Sequence, residues 1–388
     1  MKTEALMRAT AELEWDFVKR RLDERVARGR QRLPPAPGEP VPEELHLELT
    51  HRCNLKCVMC EHWEIEHKDP GSVARELSLP ELRRIVDGSR TLGGIKTVVV
   101  TGGEPWLRGD IVEVLAWLSG RFPNAAIVAL TNFWNTGHLR LKLSELRARG
   151  VKNLKLGSSL DGLEKVHDAV RGQDGAFAGL ERTVKAVRAE FPEYPFGFTF
   201  TMVPANAHQV REAYRFVVDE LRSGFGAQWA VQTDGIAPLT WTPARKKAAL
   251  RGVREVTLDL CRRHDAFALM RSPEAESGKW DWLWSELLYW RWLEEYGRAP
   301  RRFQFFRRCT SGERHVMMDP EGSVFFCPVN RARPIGDVKQ RPLDELWTGE
   351  RAQAEREFVA SGKCHCWLRC VSTPALDRLL ERSRSGAV

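Results

Sequence analysis

Between residues 45 and 232 six short apolar runs alternate with amphipathic stretches, and this alternation restricts the chain more than any other feature. The runs are "LHLEL" (45–49), "IKTVVV" (95–100), "AIVALT" (126–131), "LKLGSSL" (154–160), "FGFTFTMV" (196–203) and "QWAVQ" (228–232). Helix-like segments lie between them, near 80–91, 110–120, 139–149, 175–190 and 206–222. Parallel strands need a long crossover, which a helix supplies, so the alternation predicts an α/β fold with a parallel sheet. Six units fall short of the eight of a closed barrel, and the expected architecture is a partial (βα)6 TIM-like barrel. In such folds the chemistry collects on loops at the C-terminal ends of the strands.

The flanks divide the rest. Residues 1–44 read as a helical prefix ending in the proline-rich "LPPAPGEPVP", 45–241 as the barrel and 242–304 as a helical, tryptophan-rich linker region. Residues 305–376 read as a small cysteine-rich domain and 377–388 as a basic tail. Five tryptophans fall within residues 280–292; a helix apolar on nearly every face is a packing element, with a minority of its rings free to line a pocket. The formal charge of +8 is spread as scattered pairs such as Arg83–Arg84 and Lys246–Lys247, which reads as solvated surface and argues against nucleic acid as a partner. No apolar run is long enough to span a membrane and no signal-peptide core is present, so a cytoplasmic location is expected. In that reducing compartment clustered cysteines are ligands or catalytic thiols, and an odd count of nine argues against a framework of pairs.

Three of the nine, Cys53, Cys57 and Cys60, lie in the loop after the first strand. Thiolates spaced C-x3-C-x2-C can bend around one corner of a cubane iron–sulfur cluster and ligate three of its four irons. The fourth iron is then open to a bound molecule; a zinc site would need a further ligand such as His51, His62 or His67. Later strand ends carry residues suited to that molecule. Gly102 and Gly103 allow close backbone approach, and Glu104 can accept a hydrogen bond from a cationic amine. Thr131, Ser159 and Asp161 offer partners to a ribose or an amino-acid moiety, and Arg171 can pair with a carboxylate. Singly these are an ordinary turn, a strand terminus, a helix cap and a surface cation. On successive strand ends they read as one site.

The pattern resembles the radical S-adenosylmethionine (SAM) enzymes. The resemblance rests on the cysteine triplet, strengthened by "TGGEP" (101–105), "TN" (131–132), "SSLDG" (158–162) and "MVP" (202–204), and covers roughly residues 45 to 235. It implies a 4Fe-4S cluster on Cys53, Cys57 and Cys60 with SAM at the open iron. It also implies SAM contacts from Gly102, Gly103, Glu104, Pro105, Thr131, Asn132, Ser159, Asp161, Arg171 and Val203. The implied reaction is one-electron cleavage of SAM to methionine and a 5′-deoxyadenosyl radical, which takes a hydrogen atom from a substrate. A reductant such as flavodoxin or ferredoxin is the implied partner. Where the family often has an aromatic residue before the third cysteine, this chain has Met59.

A second group follows in "CTSGERHVMMDPEGSVFFC" (309–327) and "CHCWLRC" (364–370), with "DPEG" expected as a hairpin turn. It is similar to the auxiliary-cluster domains called SPASM and twitch, which implies one auxiliary 4Fe-4S cluster. Its candidate ligands are Cys309, Cys327, Cys364, Cys366 and Cys370, one of them surplus, with Cys366 favoured over Cys364. A structural zinc on the same thiols is the competing reading. Cys261 reads as a buried helix residue.

The expectation is a radical SAM oxidoreductase or modifying enzyme acting on a small molecule such as a sugar or aminocyclitol, or on a peptide. The alternatives are a maturase of ribosomally made peptides or protein side chains, an RNA-modifying enzyme, and a non-catalytic iron–sulfur electron carrier. A carrier has no use for an open iron beside a glycine-rich loop.

Overall fold

The computed structural model describes residues 2–31, 40–232, 236–272, 277–303, 309–329, 331–361 and 365–384. Six parallel strands form the barrel wall: β1 (Glu44–Glu48), β2 (Thr97–Thr101), β3 (Ala126–Leu130), β4 (Leu154–Ser159), β5 (Phe196–Met202) and β6 (Gly224–Trp229). Each pairs with the next in register, from Leu45 opposite Val98 to Met202 opposite Trp229. Crossover helices cover the outside. Leu79–Asp87 starts at a capping box in which Ser78 and Glu81 hold each other, and Thr136–Ala148 starts where the Asn135 side chain accepts from the His138 amide at 3.1 Å.

The sheet does not stop at β1. Its far edge pairs in parallel with β7 (His315–Met318), which turns through Asp319–Gly322 into β8 (Ser323–Phe325) and then β9 (Gly336–Asp337), both antiparallel. The turn is the expected "DPEG": Asp319 Oδ1 accepts from the Ser323 amide at 2.8 Å, and Gly322 sits at a φ of +103°. The cysteine-rich segment is thus part of one nine-stranded sheet with the barrel, in the order β6-β5-β4-β3-β2-β1-β7-β8-β9.

One strand lies elsewhere than expected. The sixth is Gly224–Trp229, not 228–232, because Gly224 and Gly226 interrupt the apolar pattern that would announce it. Gly226 packs closely on the Arg369 side chain, whose guanidinium would lie 3.0 Å from a Cβ there.

The N-terminal helix Lys2–Gln31 is docked by Trp15, Val18, Leu22 and Val26, all buried, and Arg25 stacks over Trp284 at 4.6 Å from the ring centroid. Trp284 belongs to the helix Asp281–Arg298, where packing is the main use of the tryptophans: Trp290 is fully buried and stacks on Phe225 of β6. Trp282 is the exception, 53% exposed and edge-on to His264 at the rim of the central cavity. Cys261 is fully buried within the helix Pro243–Arg263.

Candidate active site

The cysteine triplet follows β1 on a loop whose backbone is held from both sides. On one side the Gly103 amide donates to Thr50 O at 2.8 Å and the Glu104 amide to Arg52 O at 2.7 Å. A Cβ on Gly102, whose φ is +121°, would sit 2.5 Å from Thr50 O, and one on Gly103 would sit 2.1 Å from Arg52 O. The two glycines therefore let the second strand-end loop lie flat against the first. On the other side the Lys56 amide donates to Arg171 O and the Val58 amide to Val170 O, at 3.2 and 3.0 Å. Gly172, at a φ of +64°, leaves room there for the Lys56 carbonyl.

Cys57 is buried and Cys53 and Cys60 are half-buried. Burial pushes the Cys53 thiol up to about 12 and the Cys60 thiol up to about 11, and each is opposed further by the charge of its neighbouring sulfurs. Three thiols crowded in this way are stable as anions only against concentrated positive charge, so the donor set fits iron. Arg171 supplies one cation. It donates to Cys57 Sγ at 3.4 Å and pairs with Asp161 Oδ2 at 2.8 Å, while Asp161 Oδ1 accepts from the Thr201 amide at 2.6 Å.

These elements open on a cavity of about 1170 Å³. Of the residues expected in one site, Cys53, Cys57, Cys60, Gly102, Gly103, Glu104, Thr131, Asn132, Ser159 and Arg171 line it together. Pro105, Asp161 and Val203 do not. Pro105 is buried at the start of a short turn, Asp161 is wholly inside and committed to Arg171 and Thr201, and the Val203 amide is held by Asn206 Oδ1 at 2.8 Å. Glu104 is buried, and burial raises its carboxyl to about 7 despite bonds from the Asn132 and Trp106 amides.

Sequence reasoning missed the inner face of β1. "ELHLE" reads as apolar through its leucines, yet Glu44, His46 and Glu48 point into the cavity; the two-residue alternation was the available signal. Glu48 forms an ion pair with Arg331 of the C-terminal module and lies 3.6 Å from His62 Nε2. Burial alone would raise its carboxyl, but His62 and Arg331 lower it to about 2. Asn54 was also missed; its Oδ1 accepts from the Asn132 side chain at 2.7 Å.

The second cysteine group gathers at the β1 edge. The Cys370 thiol is raised well above its ordinary value by burial and then by the charges of Glu44, Cys327, Cys366 and Cys309, so four sulfurs share one neighbourhood. Cys309 Sγ accepts from the Ser311 amide at 3.5 Å and Cys327 Sγ from the Val329 amide at 3.3 Å, bonds that favour thiolates. Cys364 lies outside the described residues. Cys370, Leu368 and Arg369 border the same cavity as the triplet.

Comparison with known proteins defines the class. Residues 47–217 match the radical SAM superfamily and residues 309–370 match SPASM, an iron–sulfur cluster-binding domain. The chain belongs to the radical SAM superfamily of enzymes and carries a C-terminal SPASM domain; the two domains imply 4Fe-4S clusters and SAM as cofactors.

Among particular relatives, it is 38% identical over 145 residues to the GTP 3′,8-cyclase of Synechococcus elongatus, covering 36% of this chain and 42% of that one. It is 34% identical over 148 residues to the subtilosin biosynthesis protein AlbA of Bacillus subtilis, covering 38% and 30%. The chain thus spans less than half the length of these two relatives. An AdoMet-dependent heme synthase of Methanosarcina barkeri is 24% identical over 348 residues, 83% of this chain and 87% of that one. In fold it is similar to Streptococcus suis SuiB bound to S-adenosylmethionine, with a TM-score of 0.58 at 15% identity over 84% of this chain and 72% of that one. It is also similar to anSMEcpe with bound AdoMet, with a TM-score of 0.55 at 17% identity, covering 82% and 81%. Among the described residues no helix is long and apolar enough to cross a membrane.

Proposed function

We propose that this chain cleaves SAM reductively and uses the product to take a hydrogen atom from an apolar-bodied small molecule held in the central cavity. In this reading Cys53, Cys57 and Cys60 hold one 4Fe-4S cluster, and Cys309, Cys327, Cys366 and Cys370 hold a second. When bound, the first cluster and SAM supply a one-electron carbon–sulfur cleavage that leaves methionine and a 5′-deoxyadenosyl radical.

The observation that carries the reading is the convergence of three thiols on one clamped loop with the later strand-end motifs around a single cavity. The residues of the chain then have separable tasks. Arg171 fixes the sulfur of Cys57, Glu104 offers a buried carboxyl to an ammonium group, and Thr131, Asn132 and Ser159 offer hydrogen bonds along one wall. Leu55, Met59 and Phe198 keep that wall dry.

The cavity exceeds the roughly 300–1,000 Å³ usual for one small ligand, which leaves room for a substrate beside SAM. Its lining also includes Phe196, Phe225, Trp229 and Trp282, while Arg369 and Arg263 are already paired with Glu286 and Asp259. That lining suits an apolar body better than a sugar, and the relative aligned over most of both chains is named a heme synthase. A peptide side chain is the second reading, supported by the 34% identity to a bacteriocin biosynthesis protein.

The test is anaerobic. With both clusters loaded and reduced, SAM should change the electron paramagnetic resonance spectrum and yield 5′-deoxyadenosine, and a variant with Cys53, Cys57 and Cys60 changed to Ala should do neither. A loaded protein whose spectrum SAM leaves unchanged defeats the reading. Transfer of deuterium from a labelled candidate into 5′-deoxyadenosine then separates small molecule from peptide.

A further inference from the structure

At the end of the cavity beside the second cysteine group stands a cluster that the reaction above does not use. Glu44 and His46 are two apart on β1, so both project from the same face of the sheet, and both line the cavity. His315 opens β7 directly opposite Glu44 in the parallel register. A carboxylate oxygen and two ring nitrogens from these three residues lie within 4.8 Å of one another, and the histidine rings meet edge-on with centroids 4.2 Å apart.

The hydrogen bonds of this cluster are incomplete in an informative way. His315 is 3% exposed and its Nδ1 lies 2.9 Å from the carbonyl oxygen of Phe326. A carbonyl only accepts, so Nδ1 carries the proton and Nε2 keeps its lone pair. That lone pair faces Glu44 Oε1 at 3.7 Å, one acceptor against another, and Nε2 has no hydrogen-bond partner. His46 Nε2 reaches the same glutamate oxygen. A buried acceptor left in this state is destabilising, and a cation between the groups removes the mismatch. Orientation of an imidazole by a backbone carbonyl on its far nitrogen is also the usual support of a metal-binding histidine.

We propose that Glu44, His46 and His315 form a binding site for one divalent first-row transition-metal ion, beside the second cysteine group and sharing no ligand with either group. Two imidazoles and a carboxylate suit zinc or ferrous iron over magnesium or calcium. Three protein ligands leave positions open, and because Glu44 and His46 line the cavity those positions face its contents. The bound ion can there take an anionic group of the substrate; this role rests on the proposed function, whereas metal binding does not.

The experiment uses the full chain with both clusters loaded anaerobically, so that the cysteines are occupied, and needs no SAM or substrate. Zinc is titrated by calorimetry, cobalt by its visible absorption, and bound metal is counted against iron. One zinc or cobalt per chain is expected beyond the cluster iron. Glu44→Gln and His46→Ala should each weaken it by about 100-fold while iron content and the SAM-dependent spectrum stay unchanged. His315 carries a structural bond to Phe326, so the two β1 variants are the primary ones. Absence of the extra equivalent in loaded protein, its persistence in both variants, or binding that vanishes once iron is loaded would each overturn the site.

Discussion

The two cysteine groups differ in how the chain builds them. Cys53, Cys57 and Cys60 fall within eight residues on one loop, and that loop is pinned by the backbone of Gly103 and Glu104 on one side and of Val170 and Arg171 on the other. Cys309, Cys327, Cys366 and Cys370 span 62 residues and come together only when the hairpin of β7 and β8 has paired with β1 and the chain has returned with the first turn of its last helix, Arg369–Arg384. In the first group the fold positions the sulfurs; in the second, the proposed metal would close a long loop and so contribute to folding itself. On the proposed function, one site serves the chemistry and the other helps to hold the module.

The largest expected effect tests this contrast directly. Changing Cys53, Cys57 and Cys60 together to Ala should abolish 5′-deoxyadenosine formation and leave the melting temperature nearly unchanged. Cys370→Ala should lower it by roughly 10 °C in reconstituted protein, read by differential scanning calorimetry. Equal melting shifts would break the comparison.

Next is Arg171→Gln, which strands the Asp161 carboxylate in the interior. A loss of about 3–5 kcal/mol in urea unfolding is expected, with partial recovery in Arg171→Lys. Gly103→Ala should cost about 2–3 kcal/mol by driving a methyl group into Arg52 O. Its iron content should fall from about eight towards four atoms per chain, the second cluster staying full. Equal loss from both clusters would show that the two groups are not built independently.

The smallest effect is a pH slope. Glu48 ties β1 to Arg331 and His62, and its carboxyl is held at about 2, below the ordinary value of 4.5. Its stabilisation is complete above about 4.5 and lost as pH falls through about 2, so acid unfolding should be steeper in the wild type than in Glu48→Gln. Identical acid limbs would remove Glu48 as a tie between the regions.

How much of this could be read beforehand depends on distance along the chain. The triplet was plain because its ligands are neighbours, and the strand–helix rhythm gave the barrel because each unit is local. The glycines of "TGGEP" were assigned to a close backbone approach to a ligand; the close approach in the structure is to the backbone of Thr50 and Arg52. Asp161 and Pro105 share their motifs with cavity residues, and composition does not say which member of a motif faces inward, while no residue of "MVP" lines the cavity. Glu44 and His46 look like solvent-facing residues of an alternating strand, since an inward polar face and an outward one have the same pattern. The pairing of β1 with β7 joins segments some 270 residues apart and leaves no local trace. The displaced sixth strand was hidden by Gly224 and Gly226, which interrupt its apolar pattern.

The central place of β1 has a consequence for synthesis of the chain. During translation β2 follows β1 off the ribosome and covers one edge, but the strand that covers the other lies some 270 residues further on. At about 5–20 residues per second β1 waits roughly 13 to 55 seconds with that edge bare. For that interval the edge of the strand that carries the three thiols is unprotected, the kind of surface that invites pairing with other chains. The clamp on the thiol loop is itself complete only once Val170 and Arg171 have been made.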